Sequence, residues 1–235
     1  MDKTRITISG AGGFVGRYLQ RELGSDEHVS VTALTRGPEV PGAGGSSFDV
    51  KWAVTDYSEE SLSQILRGTD VFIHLAGTKG FKTDPSDFYG DFDMMRNILE
   101  ASAKCGVKRV LYASSRMVYG DAGPLPWKES GDIMPVTAYG SNKARCEELG
   151  TEYADAHGFD FCALRIAQIV GLGEGTRTMI NVFSELARDH KQLTVIGKSE
   201  AKRQYIYAKD LAAILHRLAV YEGSLTHVLN AGMDE

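Results

Sequence analysis

The chain has 235 residues, of which 43% are hydrophobic and 24% are charged, as in ordinary globular proteins. Its net charge is −5 and it contains no block of basic residues, so its charge pattern does not indicate binding to nucleic acid or to a membrane surface. No apolar run approaches the roughly 18 residues of a membrane span.

The first residues lead directly into a predicted strand and show no signal-peptide pattern. Three cysteines, at positions 105, 146 and 162, lack the spacing of a metal site. We therefore expect a cytoplasmic protein with reduced thiols.

A glycine-rich loop follows the first predicted strand, residues 5–9, and precedes an amphipathic helix that ends at Gly24. The spacing G-x-x-G-x-x-G permits a tight turn, lets the backbone approach a pyrophosphate, and lets the helix pack on the strand. The free N–H groups of the helix then face the phosphates. The loop predicts a dinucleotide site with contacts from Gly10, Gly13, Phe14, Val15 and Gly16.

The second predicted strand, residues 29–34, is followed by Thr35 and Arg36. An NAD-binding unit usually places Asp or Glu here, about 20 residues after the loop, to bind the ribose 2′-hydroxyl. Arg36 can instead pair with a 2′-phosphate, because a guanidinium group matches phosphate oxygens bidentately, and Arg17 can assist. The sequence therefore favours NADP, with NAD as the alternative.

A turn-rich loop at 37–47 precedes a predicted strand at 48–54, and Asp56 at its end is a candidate contact for the adenine. A helix is predicted at 58–67 and a nearly all-apolar strand at 70–75, as a parallel sheet buried on both faces requires. Leu75, Ala76 and Gly77 then turn close to the cofactor. We interpret His74 as a structural residue.

The second half continues the alternation of helices and strands. We predict helices at 88–103, 139–157, 179–190 and 203–221, and strands at 110–113, 159–166, 193–196 and 228–230. The proline-containing stretch 121–136 is a candidate substrate lid. The pattern predicts an α/β fold with a doubly wound parallel sheet, a dinucleotide-binding domain at 1–165 and a small substrate-binding region at 166–235.

Tyr139 and Lys143 lie four residues apart at the start of a predicted helix, so their side chains are neighbours on one face. An ammonium group beside a phenol favours the phenolate form. That makes the phenol a usable general acid or base. Ser115 follows a strand at the sheet edge where such folds bind ligands.

These residues together resemble the extended short-chain dehydrogenase/reductases, in the NAD(P)-dependent sugar epimerase/dehydratase group. The matching motifs occur in order over nearly the whole chain, at 9–16, 74–77, 114–120, 139–143, 164–165 and 203–210. The resemblance implies a Rossmann-type sheet, a nucleotide-sugar substrate and a homodimer formed through the helices near 88–104 and 138–156.

The resemblance also implies residue roles. Tyr139 would be the general acid/base, Lys143 would assist it and hold the nicotinamide ribose, and Ser115 would bind the substrate oxygen. Arg203 would grip the substrate diphosphate. Arg116 and Gln168 complete the candidate substrate-binding set.

The chain departs from the family pattern at several places. Sugar 4,6-dehydratases carry Asp-Glu where this chain has Arg116 and Met117, which disfavours dehydration. Asp91 replaces a family asparagine, and Gln168 ends a segment that usually reads Arg-Pro-x-Asn. The chain ends soon after Asn230, where family members usually continue, so we expect either a compact member with a shortened substrate portion or a tail that lies beyond this sequence.

The leading hypothesis is a reductase that acts on a keto group of a nucleotide-activated sugar. The alternative enzyme is a nucleotide-sugar 4-epimerase with tightly held NAD(P), which uses the same residues. A reductase of a non-sugar carbonyl compound and an NADP-binding regulatory protein without turnover are further alternatives.

Overall fold

The computed structural model describes residues 3–37, 50–78, 80, 82–120, 125–175, 178–195, 197 and 203–233. Its strands are β1 (Thr4–Ser9), β2 (Val29–Thr35), β3 (Val50–Val54), β4 (Val71–His74), β5 (Arg109–Ser115), β6 (Asp160–Ile166), β7 (Gln168–Val170), β8 (Tyr205–Tyr207) and β9 (Val228–Ala231). Its helices are α1 (Phe14–Gly24), α2 (Glu59–Ile65), α3 (Tyr89–Cys105), α4 (Ala138–His157), α5 (Met179–Arg188) and α6 (Ala208–Val220). Short 3₁₀ turns occupy Pro85–Phe88 and Arg116–Val118.

Seven strands form one parallel sheet in the order β3-β2-β1-β4-β5-β6-β9. Ile6 of β1 lies between Val31 of β2 and Val71 of β4. The strand order reverses direction between β1 and β4, and in such sheets ligands bind beyond the carboxyl ends of the strands at that point. The predicted doubly wound parallel sheet is confirmed.

Helices cover both faces of this sheet. Leu19 and Leu23 of α1 pack with Leu211 and Leu215 of α6 over the β1 side chains. On the other face α2, α3 and α4 bury a second cluster that includes Met95 and Phe161. Burial on both faces explains why β4 and β6 are almost wholly apolar.

Two sequence predictions in the C-terminal third are wrong. Residues 193–195 form no strand, whereas β7, which the sequence did not reveal, pairs in parallel with β8. Arg203 does not open the last helix, because β8 precedes α6. Strands of three residues carry too little periodicity to be recognised locally, and here pairing with a distant segment decides the conformation.

The region after residue 165 contributes to the main sheet as well as to the β7–β8 ribbon. β9 pairs with β6, with Leu164 opposite Leu229, and α6 packs on α1. The division at residue 165 therefore remains a prediction. Across the described ranges, none of the helices combines the length and the apolar character that crossing a membrane requires.

Gly150 allows α4 to lie directly on β6, and we expect Gly150→Ala to destabilise the protein. A Cβ at this position would stand 2.2 Å from Cζ of Phe161, a ring that is only 1% exposed. Overpacking costs about 1–3 kcal/mol. The gain in helix propensity is about 0.5–1 kcal/mol, so urea unfolding should show a net loss of about 1–2 kcal/mol.

Gly90→Ala in α3 is the matched control, because nothing lies within 4 Å of the added carbon. It should leave the free energy of unfolding unchanged or slightly higher. An equal response of the two variants would contradict the packing argument.

Candidate active site

A groove of about 520 Å³ opens at the carboxyl edge of the sheet, beyond the ends of the paired strands β1 and β4. It is bounded by the glycine loop, the end of β2, the segment after β4 and the start of α3. Its lining residues are Gly10, Gly12, Gly13, Leu34, Thr35, Arg36, Tyr57, Ala76, Gly77, Thr78, Asp87, Gly90 and Asp91.

The glycine loop forms the floor of this groove through close backbone contacts. Gly10 has φ +72°, and a Cβ there would stand 2.6 Å from the Ala76 nitrogen. A Cβ at Gly16 would stand 2.4 Å from the carbonyl oxygens of Gly10 and Ala11. Gly13 precedes α1 and has no side chain that could cap it, so the first N–H groups of the helix donate to no side chain at that position. This cradle fits the pyrophosphate of a dinucleotide.

The neighbouring candidate cofactor contacts do not line the groove. Phe14 packs edge-on against Tyr18, with ring centroids 5.6 Å apart. Val15 and Leu75 are half-buried and pack against the core. Of the predicted turn after β4, Ala76 and Gly77 reach the groove.

Arg36 stands at the far end of the groove over an aromatic ring. Its guanidinium carbon lies 5.3 Å from the Tyr57 ring centroid, and Nη2 lies 3.9 Å from Sδ of Met94. Tyr57 has φ +62°, which is rare outside glycine. Its carbonyl accepts a hydrogen bond of 3.0 Å from Nδ2 of Asn97, which helps to hold this conformation.

Tyr57 takes the groove position that the sequence assigned to Asp56. The exposed Asp56 carboxylate accepts a hydrogen bond from the Ser58 nitrogen at 2.9 Å, at the turn before α2. Burial raises the pKa of the Tyr57 phenol. Sequence reasoning missed Tyr57, although its position next to Asp56 after a strand was a usable signal.

Arg17 does not assist Arg36. Its Nη1 donates to the Gly12 carbonyl at 2.9 Å and its Nη2 donates to the Gly173 carbonyl at 3.1 Å. The Tyr18 hydroxyl donates to the Leu172 carbonyl at 3.0 Å. The first turn of α1 is therefore bonded to the segment at 171–175.

Asp91, in the first turn of α3, orients the segment after β4. Its carboxylate accepts hydrogen bonds from the Thr78 nitrogen at 2.7 Å and from the Thr78 hydroxyl at 3.1 Å. The sequence marked Asp91 only as a departure from the family and did not identify Thr78 or Asp87, which also line the groove.

Tyr139 and Lys143 project from the first two turns of α4. Nζ of Lys143 lies 5.6 Å from the Tyr139 ring centroid and donates to the Ala113 carbonyl at 2.7 Å. Gly80 packs against the Tyr139 ring, since a Cβ there would lie 3.2 Å from two ring carbons. The half-buried phenol is thus held beside a buried ammonium group.

Ser115 ends β5 and is 9% exposed; its hydroxyl oxygen accepts a hydrogen bond of 3.2 Å from the Met117 nitrogen. A Cβ on Gly140 would stand 2.4 Å from the Met117 carbonyl oxygen, so α4 lies directly on the turn after Ser115. The lack of a side chain at Gly140 therefore brings the Tyr139 turn close to the end of β5.

A buried ionic network lies beneath these residues. Glu147, one turn after Lys143, accepts hydrogen bonds from Arg165 Nε at 3.1 Å and Nη2 at 2.8 Å, and from the Ser114 hydroxyl. Arg165 Nη1 donates to the Tyr119 hydroxyl at 2.9 Å and to the Glu129 carbonyl at 3.2 Å. Arg165 thus joins the helix that carries Tyr139 to the segment around Glu129.

The three remaining substrate candidates belong to the same edge of the molecule. Arg116 directly follows Ser115 and is half-buried. Gln168 begins β7, and its side chain contacts the Ile169 carbonyl at 3.4 Å. Arg203 is exposed and precedes β8, the partner strand of β7.

Known proteins resemble this chain in sequence and in fold. The family model described as "NAD dependent epimerase/dehydratase family" matches residues 6–232. A UDP-glucose 4-epimerase of Streptomyces lividans is 25% identical over 92% of this chain and 71% of its own length. A dTDP-4-dehydro-6-deoxyglucose reductase of Escherichia coli is 25% identical over 99% of this chain and 78% of its own.

Among solved structures, a UDP-N-acetylglucosamine 4-epimerase from Bacillus cereus superposes with a TM-score of 0.87 at 30% identity. The match covers 98% of this chain and 76% of that one. The chain therefore spans about three quarters of these relatives.

His74 links β4 to β1 at the edge of the groove, and we expect it to make stability depend on pH. Its Nδ1 lies 2.7 Å from the Ser9 hydroxyl oxygen, and burial, with the nearby charge of Lys143, lowers its pKa from 6.5 to about 3. Below pH 6.5 His74 is therefore protonated in the unfolded chain but remains neutral in the native state down to about pH 3. The free energy of unfolding is therefore highest above pH 6.5, and it falls by about 1.4 kcal/mol per pH unit as the pH drops towards 3.

Between pH 7 and pH 5 the wild type should lose about 2 kcal/mol more than His74→Asn in urea unfolding. Ser102→Ala is the control, because it truncates another buried polar side chain without removing an ionisable group. Parallel pH profiles for the wild type and His74→Asn would refute this role of His74.

Proposed function

The chain belongs to the NAD dependent epimerase/dehydratase family, and from this premise we propose that it reduces a keto group on a nucleotide-activated sugar. It is thus an enzyme of the short-chain dehydrogenase/reductase type. The observation that carries the proposal is the Tyr139–Lys143 pair, in which Lys143 Nζ bonds the Ala113 carbonyl near the end of β5 and lies 3.9 Å from the place that a Cβ on Gly77 would take. Nucleotide-sugar epimerases and a nucleotide-sugar reductase are both among its relatives.

The proposed chemistry assigns one task to each of three side chains. Tyr139 donates its phenolic proton to the carbonyl oxygen that becomes an alcohol. Lys143, held by the Ala113 carbonyl, keeps a positive charge beside that phenol and favours the phenolate that remains. The Ser115 hydroxyl donates a hydrogen bond to the same substrate oxygen as negative charge develops on it.

The glycine cradle and Lys143 would hold the dinucleotide, with Gly10, Gly13 and Gly16 allowing its pyrophosphate to approach the backbone. When bound, this cofactor supplies the hydride. The family is NAD-dependent, and we propose NADP as the form this chain prefers. Arg36 supports NADP because it brings a guanidinium group to the groove at the end of β2.

The alternative function is a nucleotide-sugar 4-epimerase. It is favoured by the likeness to the epimerase from Bacillus cereus, at 30% identity over 98% of this chain. The same tyrosine and lysine would then serve both the oxidation of the sugar to a keto intermediate and its reduction, so no cofactor would be consumed overall.

We further propose that the enzyme is a cytoplasmic homodimer. The support for the dimer is that α3 and α4 lie side by side on one face of the sheet, and that α3 carries an exposed ion pair between Arg96 and Asp93.

The proposal is tested by titrating the protein with NADPH and screening nucleotide 4-keto sugars for NADPH oxidation. The wild type should consume NADPH in equal amount to a keto-sugar, whereas Tyr139→Phe should lose turnover at least a hundredfold and still bind NADPH. Tyr221→Phe is the control, because that exposed tyrosine follows α6 at the opposite sheet edge. Conversion between sugar epimers without net oxidation would establish the alternative, and full activity of Tyr139→Phe would refute the proton-donor role.

Arg36→Ala should weaken NADPH binding about 10- to 100-fold and leave NADH binding nearly unchanged, since a charged hydrogen bond contributes about 1.5–3 kcal/mol. Titration of cofactor fluorescence measures both affinities. Arg67→Gln, an exposed arginine before β4, provides the control. Equal losses for the two cofactors, or a wild type that prefers NADH, would overturn the assignment to the 2′-phosphate.

A further inference from the structure

We propose that Arg116 recognises a negative charge on the sugar ring itself, so that the substrate is the nucleotide derivative of an acidic sugar. This inference rests on the proposed nucleotide-sugar function and adds the class of sugar. The preferred ring substituent is a carboxylate on the carbon next to the reacting one.

The position of Arg116 in the fold is the first argument. It directly follows Ser115 at the carboxyl end of β5, and consecutive Cα atoms are about 3.8 Å apart. The Cα of Arg116 therefore lies next to that of the serine whose hydroxyl would bind the reacting oxygen. A ring substituent bound by Arg116 would therefore be attached to the reacting carbon or to one of its neighbours. The diphosphate is attached to a different carbon of the sugar.

The second argument is a positive charge that no carboxylate among the described residues neutralises. Across the described part of the chain, neither Arg116 nor Arg203 forms an ion pair with a carboxylate. Arg116 is half-buried, and guanidinium groups that leave water usually find an acidic partner. Arg165, another arginine near the site, follows this rule through Glu147.

The two guanidinium groups also lie near each other. Burial lowers the pKa of Arg116, and the charge of Arg203 lowers it further, while Tyr205 acts in the opposite direction. A like charge beside a half-buried cation is unfavourable in the free protein. An anionic ligand would relieve this repulsion. Because there are two guanidinium groups, the ligand could carry two anionic groups, one for each.

A division of tasks between the two arginines follows. Arg203 is exposed and lies on the segment before β8, farther along the chain from the reacting residues, and is assigned to the diphosphate. Arg116 would pair bidentately with the ring carboxylate, since the planar guanidinium fork matches two carboxylate oxygens. A neutral sugar would leave Arg116 unpaired and would bind more weakly.

The experiment compares dissociation constants, by calorimetry in the presence of NADP⁺, for glucuronic acid and glucose carried on the same nucleoside diphosphate. Uridine and deoxythymidine diphosphate pairs are both used. The wild type should bind the acidic sugar at least tenfold more tightly. Arg116→Gln should abolish that preference by weakening the acidic ligand alone, and Arg116→Lys should restore part of it.

Arg203→Gln should weaken both ligands of a pair by the same factor, and Arg67→Gln should weaken neither. A wild type without preference, or equal losses in Arg116→Gln for both ligands, would overturn the inference and leave the nucleotide-sugar function intact. Failure of the wild type to bind any of these ligands would overturn the proposed function together with the inference.

Discussion

The buried ion pair between Arg165 and Glu147 is the interaction on which the arrangement of the site depends. Both side chains are almost fully buried, and the pair joins strand β6 to the helix that carries Tyr139 and Lys143. Removing one partner of such a pair leaves a buried charge uncompensated, at a cost of about 3–5 kcal/mol. Because Arg165 also bonds Tyr119 and the Glu129 carbonyl, the same guanidinium fixes the segment over β9.

Backbone contact is the second constraint, and it explains why glycines stand where they do. Gly10, Gly140 and Gly150 each mark a place where another element lies closer than a Cβ would permit. The first brings the loop onto Ala76, the second brings α4 onto the turn after Ser115, and the third seats α4 on Phe161. At Gly10 and Gly140 the neighbouring atoms belong to the main chain, so backbone packed on backbone places the groove and the Tyr139 turn, whereas at Gly150 the neighbour is the Phe161 ring.

The sequence predicted the parts of this fold that have strong local signals. β4 and β6 are largely apolar runs, β1 is a β-prone segment directly before the glycine loop, α1 is amphipathic and α4 begins as a run of good helix formers, so their existence and order followed directly. The three-residue strands β7 and β8 were not predictable, because only their mutual pairing makes them strands. Arg165 in an apolar strand was an unused signal of a buried acidic partner. Spacing could not select Glu147 among the acidic residues of α4, nor show that Tyr57 would replace Asp56 at the groove.

The bonds from Arg17 and Tyr18 to the segment at 171–175 have a thermodynamic consequence. The same turn of α1 forms the end of the glycine cradle, so a ligand that immobilises the cradle also immobilises the segment that leads to α5. Where one ligand orders residues that a second ligand also needs, each raises the affinity of the other by the same factor. Reciprocal coupling of this kind lets each ligand strengthen the binding of the other without a direct contact between the two.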